Sequence, residues 1–352
     1  MINILFITDK LNEVCGVSNY LKSLINGLNY QGNKYQIYLL CGSIESFELI
    51  KEYNCKVVVN DIFLHRNRSY YNYLLAVLYL LKFITKYKIK IIHSQNHYAA
   101  NIAFNAAKFF NVKTIQTNHG IIPEVGRLKH YKAEYHIVLD QRIYRYYTDI
   151  LKIPSSKVKI IFQGVQATNY TKQKKNNKKF IFFAASRFVK EKGLDIYIKA
   201  SNILGKARSG LFEFNISRQG DEEFNLRTLN KELGDKVSFV DRNNYIENLK
   251  KSNCFIFTSI SEGSPIVLLE AIFYSGSVIS SKYFGVNEIF TPEFYDCLFE
   301  VGDTDSLIDK MLYVYNNYEV IENKFNILND KIKNKYSIKS MIDEHNILYK
   351  TI

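Results

Sequence analysis

The chain has 352 residues, of which 47% are hydrophobic and 23% are charged. This composition excludes a disordered chain, and the length predicts two domains rather than one. The formal net charge of +13 is uneven, because residues 1–165 hold 21 Lys and Arg against 10 Asp and Glu, whereas residues 166–352 hold 26 against 24. We therefore expect an anionic partner or surface for the N-terminal half.

Cysteine usage and hydropathy exclude further classes of protein. The five cysteines are scattered and form no C-x-x-C pair, which favours a reducing, cytoplasmic compartment over a disulfide framework or a zinc site. The chain starts directly on a strand pattern, without a recognisable export signal. The most apolar stretch, residues 71–84, contains Lys82 and is shorter than the roughly 20 residues that span a bilayer. We expect neither export nor a membrane-spanning helix.

The N-terminal half alternates short apolar runs with helical patterns. The runs are INILFIT, YQIYLLC, CKVVV, KIIHS, KTIQTN, YHIVL and KVKIIF. Almost continuously apolar runs of this length, separated by helices, are typical of buried parallel strands in an α/β sheet. A first Rossmann-like domain is therefore predicted over residues 1–167.

A polar segment at residues 168–179, TNYTKQKKNNKK, has five lysines and no apolar periodicity, which predicts an interdomain linker. The βα rhythm resumes with FIFFAAS, FEFNIS, KVSFV, NCFIFTS and SVISS, and predicts a second Rossmann-like domain over residues 180–335. Residues 336–352 have the pattern of an amphipathic helix, which we expect to pack back on the N-terminal domain. Parallel sheets bind ligands at the carboxyl ends of their strands, so two such domains facing each other predict a cleft between them.

Two carboxylates flank a predicted helix start in TSISEGSPIVLLEAIFYSG, residues 258–276. Ser264 and Pro265 are typical of a helix N-cap and a first helical residue, so Glu262 precedes the helix and Glu270 lies inside it. The first backbone N–H groups and the positive end of the helix dipole suit a phosphate. Because carboxylates pair with vicinal hydroxyls, the segment predicts a site for a nucleotide sugar.

This arrangement, EGSPIVLLEA after a strand, resembles the E-x7-E motif of the retaining glycosyltransferases with the GT-B fold, family 4. In that family the first glutamate contacts the donor sugar and the second binds the ribose, and the resemblance assigns these roles to Glu262 and Glu270. The residues that the motif places around the donor between these two are Gly263, Ser264, Pro265, Ile266 and Val267.

A second segment, SRFVKEKGLD at residues 186–195, resembles the family's G-R-L-x-x-x-K-G-x-D loop, in which Arg and Lys hold the donor diphosphate. Arg187 and Lys192 match these positions. Two cations after a strand suit a pyrophosphate, and they also stabilise the charge of a departing nucleoside diphosphate. The resemblance therefore implies that these two residues take part in catalysis.

The N-terminal half carries two shorter resemblances. TNHG, residues 117–120, resembles the family's histidine loop, which implies that His119 hydrogen-bonds a sugar hydroxyl and orients the reacting carbon. The first βα turn resembles the family's glycine loop, with Cys15 in place of its first glycine. The remaining Gly16 is expected to let the backbone approach the donor. No G-x-G-x-x-G pattern is present, which argues against a dehydrogenase.

Other segments depart from the family. SRQGDEE, residues 217–223, keeps only Gly220 of the family's G-x-G-P, and FVDR, residues 239–242, lacks a glycine. These loops lie near the nucleobase in the family. GDTDS, residues 302–306, mimics the D-x-D metal motif of a different glycosyltransferase fold, but its place between a strand and a helix predicts a turn and an N-cap. We expect no catalytic metal.

Residues 65–90 combine six Arg and Lys with many tyrosines and leucines. Two interpretations stay open: the segment lies on an anionic membrane surface, or one of its faces packs on the core of the N-terminal domain. No nucleic-acid-binding motif accompanies the basic charge. The family often uses lipid-linked or polysaccharide acceptors, which favours peripheral association with the inner face of the cell membrane.

Together, the resemblance covers nearly the whole chain. It implies a metal-independent, retaining transfer of a hexose or N-acetylhexosamine from a nucleoside-diphosphate sugar, with UDP expected, to a lipid-linked or surface-polysaccharide glycan. Two alternatives remain. One is a non-catalytic subunit of the same fold, suggested by Cys15 and the SRQGDEE loop. The other is a nucleotide-sugar epimerase or a sugar phosphorylase on this fold.

Overall fold

The computed structural model describes residues 1–13, 15–30, 32, 34–121, 132–166, 178–217, 219–262 and 266–352. Contacts divide the chain into two compact units. The N-terminal unit is Met1–Gly164 together with Tyr336–Ile352, and the C-terminal unit is Val165–Lys335. The predicted linker, residues 168–179, lies outside the described residues except for its last two.

The N-terminal unit is a seven-stranded, wholly parallel sheet in the order β3-β2-β1-β4-β5-β6-β7. Its strands are β1 (Ile2–Leu11), β2 (Tyr35–Ile44), β3 (Lys56–Val59), β4 (Ile91–Ser94), β5 (Lys113–Asn118), β6 (Tyr135–Val138) and β7 (Val158–Ile160). The helices between them are α1 (Gly16–Tyr30), α2 (Glu48–Lys51), α3 (Tyr70–Tyr87), α4 (His97–Ala107) and α5 (Gln141–Arg145). Each strand predicted for this half is present.

The central strand shows why these runs lack a polar face. In β1, Ile4 and Phe6 pack in one hydrophobic cluster, whereas Leu5 and Ile7 pack in another. Successive side chains of a strand point to opposite faces of the sheet, so helices cover both faces. A strand buried on both sides has to be apolar throughout, as this one is.

The C-terminal unit repeats the architecture with six parallel strands in the order β10-β9-β8-β11-β12-β13. Its strands are β8 (Phe180–Ala185), β9 (Phe212–Ser217), β10 (Val237–Val240), β11 (Cys254–Phe257), β12 (Ser277–Ser281) and β13 (Leu298–Phe299). The helices are α6 (Leu194–Ala207), α7 (Glu223–Leu233), α8 (Tyr245–Lys251), α9 (Ile266–Tyr274), α10 (Thr304–Asn316) and α11 (Tyr318–Ile332). The predicted α/β class with two Rossmann-like sheets is confirmed.

In each sheet the strand order reverses at one point. The reversal falls between β1 and β4 in the N-terminal unit and between β8 and β11 in the C-terminal unit. At such a point the two following helices lie on opposite faces, which opens a crevice outside the carboxyl ends of the strands where ligands bind. The loops after β1, β4, β8 and β11 are therefore the places to search for a site.

The last helix, α12 (Ile338–Thr351), belongs to the N-terminal unit, as its pattern predicts. Met341 and Leu348 join the hydrophobic cluster that also contains residues of α1. The helix also contributes buried polar groups. His345 donates through Nδ1 to the carbonyl of Met341, 2.7 Å away, so its Nε2 accepts from the Tyr20 hydroxyl at 2.9 Å. Helix α12 is therefore part of the N-terminal core.

A second histidine continues this buried network. His93 Nε2 lies 2.7 Å from Thr117 Oγ1, and His93 Nδ1 lies 2.7 Å from the hydroxyl of Tyr349 on α12. Burial lowers the pKa of His93 well below its ordinary value. Burial also lowers the pKa to about 4 for each of His97, His119, His136 and His345. These five imidazoles are therefore neutral at pH 7.

Neutral buried histidines make the fold sensitive to acid. An unfolded histidine has a pKa of about 6.5, so between that pH and about 4 the unfolded chain binds more protons than the folded chain. The free energy of unfolding should then fall as the pH is lowered, by about 1.4 kcal/mol per pH unit for each proton. Urea unfolding from pH 7.5 to 4.5 measures this slope. His345→Gln should make it shallower, and the exposed His65→Gln should not. A stability that stays constant over this range would contradict the account.

Candidate active site

The loops after β8 and β11 lie together at the reversal point of the C-terminal sheet. The Thr258 hydroxyl donates to the carbonyl oxygen of Lys192 at 2.7 Å. The N–H of Ile260 donates to the carbonyl oxygen of Glu191 at 2.9 Å. One side-chain and one backbone hydrogen bond thus join two loops that follow different strands, and each loop positions the other.

This fastening brings two of the predicted site residues into contact. Lys192 Nζ donates to Glu262 Oε1 at 2.6 Å, and the two side chains are only 15% and 12% exposed. A charge-assisted hydrogen bond of this length is strong. At such burial, removing one member leaves an unpaired charge and costs about 3–5 kcal/mol. The pair places a cation and a carboxylate side by side at the end of β8 and β11.

Gly193 makes the close approach of these loops possible. Its φ is +59°, in the left-handed region, and a Cβ there would lie 2.5 Å from the carbonyl oxygen of Thr258. Only glycine combines this conformation with this proximity at low cost. The structure therefore explains the Lys-Gly pair of the motif. Gly193 leaves room for the loop after β11, and Lys192 can then reach Glu262.

Arg187 lies in the same loop and is exposed, with no ion pair to another described residue. Its neighbour Phe188 is buried and anchors the loop. The Phe188 N–H donates to the carbonyl of Gln219 at 3.2 Å, and its carbonyl accepts from the N–H of Glu222 at 2.9 Å. A Cβ at Gly220 would lie 2.6 Å from the Phe188 carbonyl oxygen. The one glycine kept from the family's G-x-G-P thus serves this backbone packing.

Glu270 lies in the second turn of α9, where Glu270 Oε2 accepts a hydrogen bond of 2.8 Å from the Tyr245 hydroxyl. Tyr245 is buried and is the first residue of α8. Sequence reasoning missed this tyrosine, since nothing in FVDRNNY pairs it with a glutamate of another helix. Of the predicted donor-binding residues, Ile266 and Val267 are half-buried at the start of α9. Gly263, Ser264 and Pro265 lie outside the described residues.

In the N-terminal unit, His119 directly follows β5 and is half-buried. His119 Nε2 donates to Gln95 Oε1 at 2.9 Å, and the imidazole meets the ring of Tyr20 edge-on, with centroids 5.1 Å apart. Gln95 directly follows β4. The sequence indicated His119 by its place after a strand, but neither of these two partners. The predicted Gly16 is the first residue of α1, and a Cβ there would meet nothing within 4 Å.

The D-x-D mimic is a helix cap, as its position predicts. Asp303 precedes α10, and its side chain accepts from the N–H of Ser306 at 3.0 Å. Over the described part of the chain, no cluster of three or more His, Cys, Asp or Glu side chains has the arrangement of a metal site.

Comparison with known proteins assigns the chain to a class. Residues 14–168 match the model of glycosyltransferase family 4, and residues 165–334 match that of glycosyl transferases group 1. In structure, the chain is similar to a glycosyltransferase from Rickettsia africae, with a TM-score of 0.83 and 18% identity over 99% of this chain and 98% of that one. It is also similar to Anabaena HepE in complex with UDP, with a TM-score of 0.82 and 14% identity over the full length of both chains. The chain belongs to the GT-B glycosyltransferases of the group 1, family 4 type.

A curated relative is also similar in sequence. The amylovoran biosynthesis glycosyltransferase AmsK of Erwinia amylovora is 25% identical over 179 residues. The match spans 47% of this chain and 44% of that protein. The match therefore supports the assignment to the glycosyltransferases. This chain matches less than half of the length of AmsK.

The glycine between the two loops gives a direct test of the site's construction. Gly193→Ala should lose about 1–2 kcal/mol of unfolding free energy from its left-handed conformation and about 1–3 kcal/mol more from the clash with Thr258. Gly302→Ala is the matched control, because Gly302 also has a positive φ, +80°, but has no atom within 4 Å of a Cβ. Urea unfolding compares the two variants. Equal losses would show that the approach to Thr258 does not constrain residue 193.

Proposed function

We propose that this chain is a retaining glycosyltransferase that uses a UDP-sugar. It moves a hexose or N-acetylhexosamine to a hydroxyl of a lipid-linked or surface-polysaccharide glycan, and it needs no catalytic metal. The observation that carries the proposal is the Lys192–Glu262 pair at the reversal point of the C-terminal sheet. HepE was solved with UDP-glucose and UDP, and AmsK is named for the synthesis of a polysaccharide, which supports the donor and acceptor classes.

In the proposed reaction, the cations of the β8 loop bind the diphosphate. Arg187 is exposed and without an ion-pair partner in the described residues, and Lys192 is held by Glu262. Both stabilise the negative charge that grows on the leaving UDP. These cations act where the negative charge develops. In the proposed reaction they therefore stabilise this charge in place of a metal ion.

The carboxylates of the C-terminal unit bind hydroxyls. Glu262 accepts hydrogen bonds from the transferred sugar, and Glu270 accepts them from the ribose. The hydrogen bond from Tyr245 fixes the rotamer of Glu270, so less conformational entropy is lost when the ribose binds. The start of α9 faces the phosphates with its backbone N–H groups and positive dipole.

His119 and Gly16 complete the proposal from the N-terminal unit. His119 hydrogen-bonds a hydroxyl of the transferred sugar and orients the anomeric carbon, and burial, which lowers its pKa to about 4, keeps it neutral for this role. Gly16 lets the backbone at the start of α1 approach the donor. A leaving-group phosphate oxygen takes the proton of the acceptor hydroxyl, so no enzyme nucleophile is required.

The test is UDP release from UDP-glucose, UDP-galactose and UDP-N-acetylglucosamine, with octyl glycosides as acceptors and with either EDTA or magnesium present. Arg187→Ala should reduce the transfer rate at least about 100-fold, as expected when a group that stabilises transition-state charge is removed. Lys190→Ala is the matched control, since Lys190 is an exposed cation of the same loop. A wild-type rate in Arg187→Ala, or a strict need for magnesium, would contradict the proposal.

The role of the Lys192–Glu262 ion pair has to be tested with different variants, because removing one of the two charges also destabilises the fold. Glu262→Gln keeps the shape and a hydrogen-bond acceptor for Lys192. The double variant Lys192→Met with Glu262→Gln removes both charges and should remain folded, while transferring no sugar. Circular dichroism checks the fold and UDP release checks activity. Conversion of one UDP-sugar into another without an acceptor would instead indicate an epimerase, and dependence on free phosphate a phosphorylase.

The exposed face of α3 suits binding to a membrane. The α3 surface, defined as the exposed residues Tyr70, Tyr71, Leu74, Leu78 and Lys82, combines apolar side chains with a lysine, and Arg66 and Arg68 precede it. No helix among the described residues has both the length and the apolar character needed to span a bilayer. An apolar, basic helix face is typical of peripheral binding to anionic lipid. We therefore propose that the α3 surface binds the inner face of the cell membrane, near a lipid-linked acceptor.

Vesicle binding tests this placement. The protein should sediment with phosphatidylglycerol vesicles and not with pure phosphatidylcholine, and high salt should weaken the binding. The double variant Leu74→Ser with Leu78→Ser should weaken vesicle binding several-fold, because each substitution removes apolar area that would be buried in the lipid. Ile203→Ser, at an exposed apolar position of the C-terminal unit, is the control. Equal binding to both lipids, or no effect of the leucine variants, would refute the placement.

A further inference from the structure

Residues 94–96 stand at the reversal point of the N-terminal sheet. Strand β4 lies between β1 and β5, and the N–H of Gln95 donates to the carbonyl of Ile7 at 2.9 Å, which extends the pairing with β1. The carboxyl ends of these strands are where a sheet of this order binds ligands. The position of Gln95 in this sheet corresponds to that of Thr258 in the other, one residue past the strand that follows the reversal.

The amide of Gln95 is satisfied on one side only. Its oxygen accepts from His119 Nε2 at 2.9 Å, but its nitrogen is buried with no hydrogen-bond partner among the described residues. The residue is 5% exposed. A buried donor without a partner costs about 1–3 kcal/mol, and such groups are rare in native proteins. We therefore expect a ligand to accept hydrogen bonds from the Nε2–H groups of Gln95.

The neighbours of Gln95 show the same feature. Ser94 Oγ, Asn96 Nδ2 and, on the adjacent strand β5, Gln116 Oε1 are also buried and have no hydrogen-bond partner in the part of the chain that the structure describes. The opposite ends of two of these side chains are occupied: Asn96 Oδ1 caps α4, and Gln116 Nε2 lies 2.6 Å from His97 Nδ1. By contrast, the imidazoles of the core network are bonded at both nitrogens. Ser94 and Gln116 pair in register on one face of the sheet, whereas Gln95 lies on the other face with His119, because successive side chains of a strand alternate between the faces. The unpaired donor that lies beside His119 is therefore that of Gln95.

The chemistry of Gln95 and His119 identifies the class of ligand. Gln95 offers an amide N–H donor, the neutral imidazole beside it offers an acceptor, and neither group carries a charge. A sugar hydroxyl both donates and accepts, so a neutral polyhydroxylated ring satisfies both groups, whereas a phosphate would leave the acceptor unpaired. The hydrogen bond from His119 Nε2 to Gln95 also leaves Nδ1 as the acceptor of the neutral imidazole.

We propose that Gln95 is a sugar-binding residue. Its Nε2–H donates to a pyranose hydroxyl while its oxygen holds the imidazole of His119. This proposal rests on the proposed function, because it assigns a substrate contact to the same reaction. The hydroxyl belongs either to the transferred sugar or to the acceptor sugar, and the experiment below distinguishes the two.

Binding measurements test the contact without requiring turnover. Calorimetry with UDP-glucose, UDP-galactose and UDP gives the contribution of the transferred sugar, and saturation-transfer NMR with octyl glucoside and octyl galactoside gives that of an acceptor sugar. Gln95→Met, which is similar in volume but cannot donate, should weaken one of the two contributions about 5- to 20-fold and leave the affinity for UDP unchanged. Gln36→Met, at an exposed position of β2, is the control.

The outcomes separate this proposal from the proposed function. Weaker UDP-sugar binding places the transferred sugar at Gln95, and weaker glycoside binding places the acceptor there. Gln95→Glu at pH 8 keeps an oxygen for His119 without the donor, so full recovery of binding in this variant would overturn the proposal. So would unchanged binding in Gln95→Met, or a wild type that binds none of these sugars. If sugar binding depends on Gln95 but no variant or wild type transfers sugar, the contact stands and the proposed function fails.

Discussion

The ion pair between Lys192 and Glu262 is the interaction on which the C-terminal site depends. The two residues are 70 positions apart, and each side chain is mostly buried, so neither charge is stable there without the other. The parallel strand order brings their loops to the same edge of the sheet, and Gly193 lets the backbones approach closely enough for the pair to form. The proposed site for an anionic, hydroxyl-bearing donor depends on one topological reversal and one glycine.

The N-terminal unit meets a different constraint, which is to hold polar groups in its core without charge. Its buried histidines are neutral because burial lowers their pKa. His345 donates to the carbonyl of Met341 and accepts from Tyr20, and His93 bonds the hydroxyls of Thr117 and Tyr349. The C-terminal helix supplies two members of this network, so the last residues of the chain help to place the ring against which His119 packs. His119 contacts this network through the ring of Tyr20 and bonds Gln95, whose amide nitrogen has no hydrogen-bond partner among the described residues.

The sequence predicted much of the fold, because strands buried on both faces have to be apolar and are easily recognised. It also predicted where His119, Lys192 and Glu262 lie, since each directly follows or closely follows a strand. It did not predict that Lys192 pairs with Glu262, that Tyr245 bonds Glu270, or that Gln95 bonds His119. These contacts join elements far apart in the chain, and no local periodicity encodes them. Gly220 was recognised from the family's motif, but the motif did not explain why glycine is needed there. The structure shows that the backbone of Phe188 packs too closely against it for a side chain.

The most direct test of the account is calorimetric titration of the protein with UDP, GDP, ADP and CMP, each with EDTA and with magnesium. The account predicts that UDP binds in EDTA, that magnesium leaves its affinity unchanged, and that Glu270→Gln weakens it at least about tenfold, because a carboxylate bound to two ribose hydroxyls is replaced by a neutral amide. Binding of no nucleoside diphosphate, or equal binding to wild type and Glu270→Gln, would contradict a donor site at the carboxyl ends of β8 and β11.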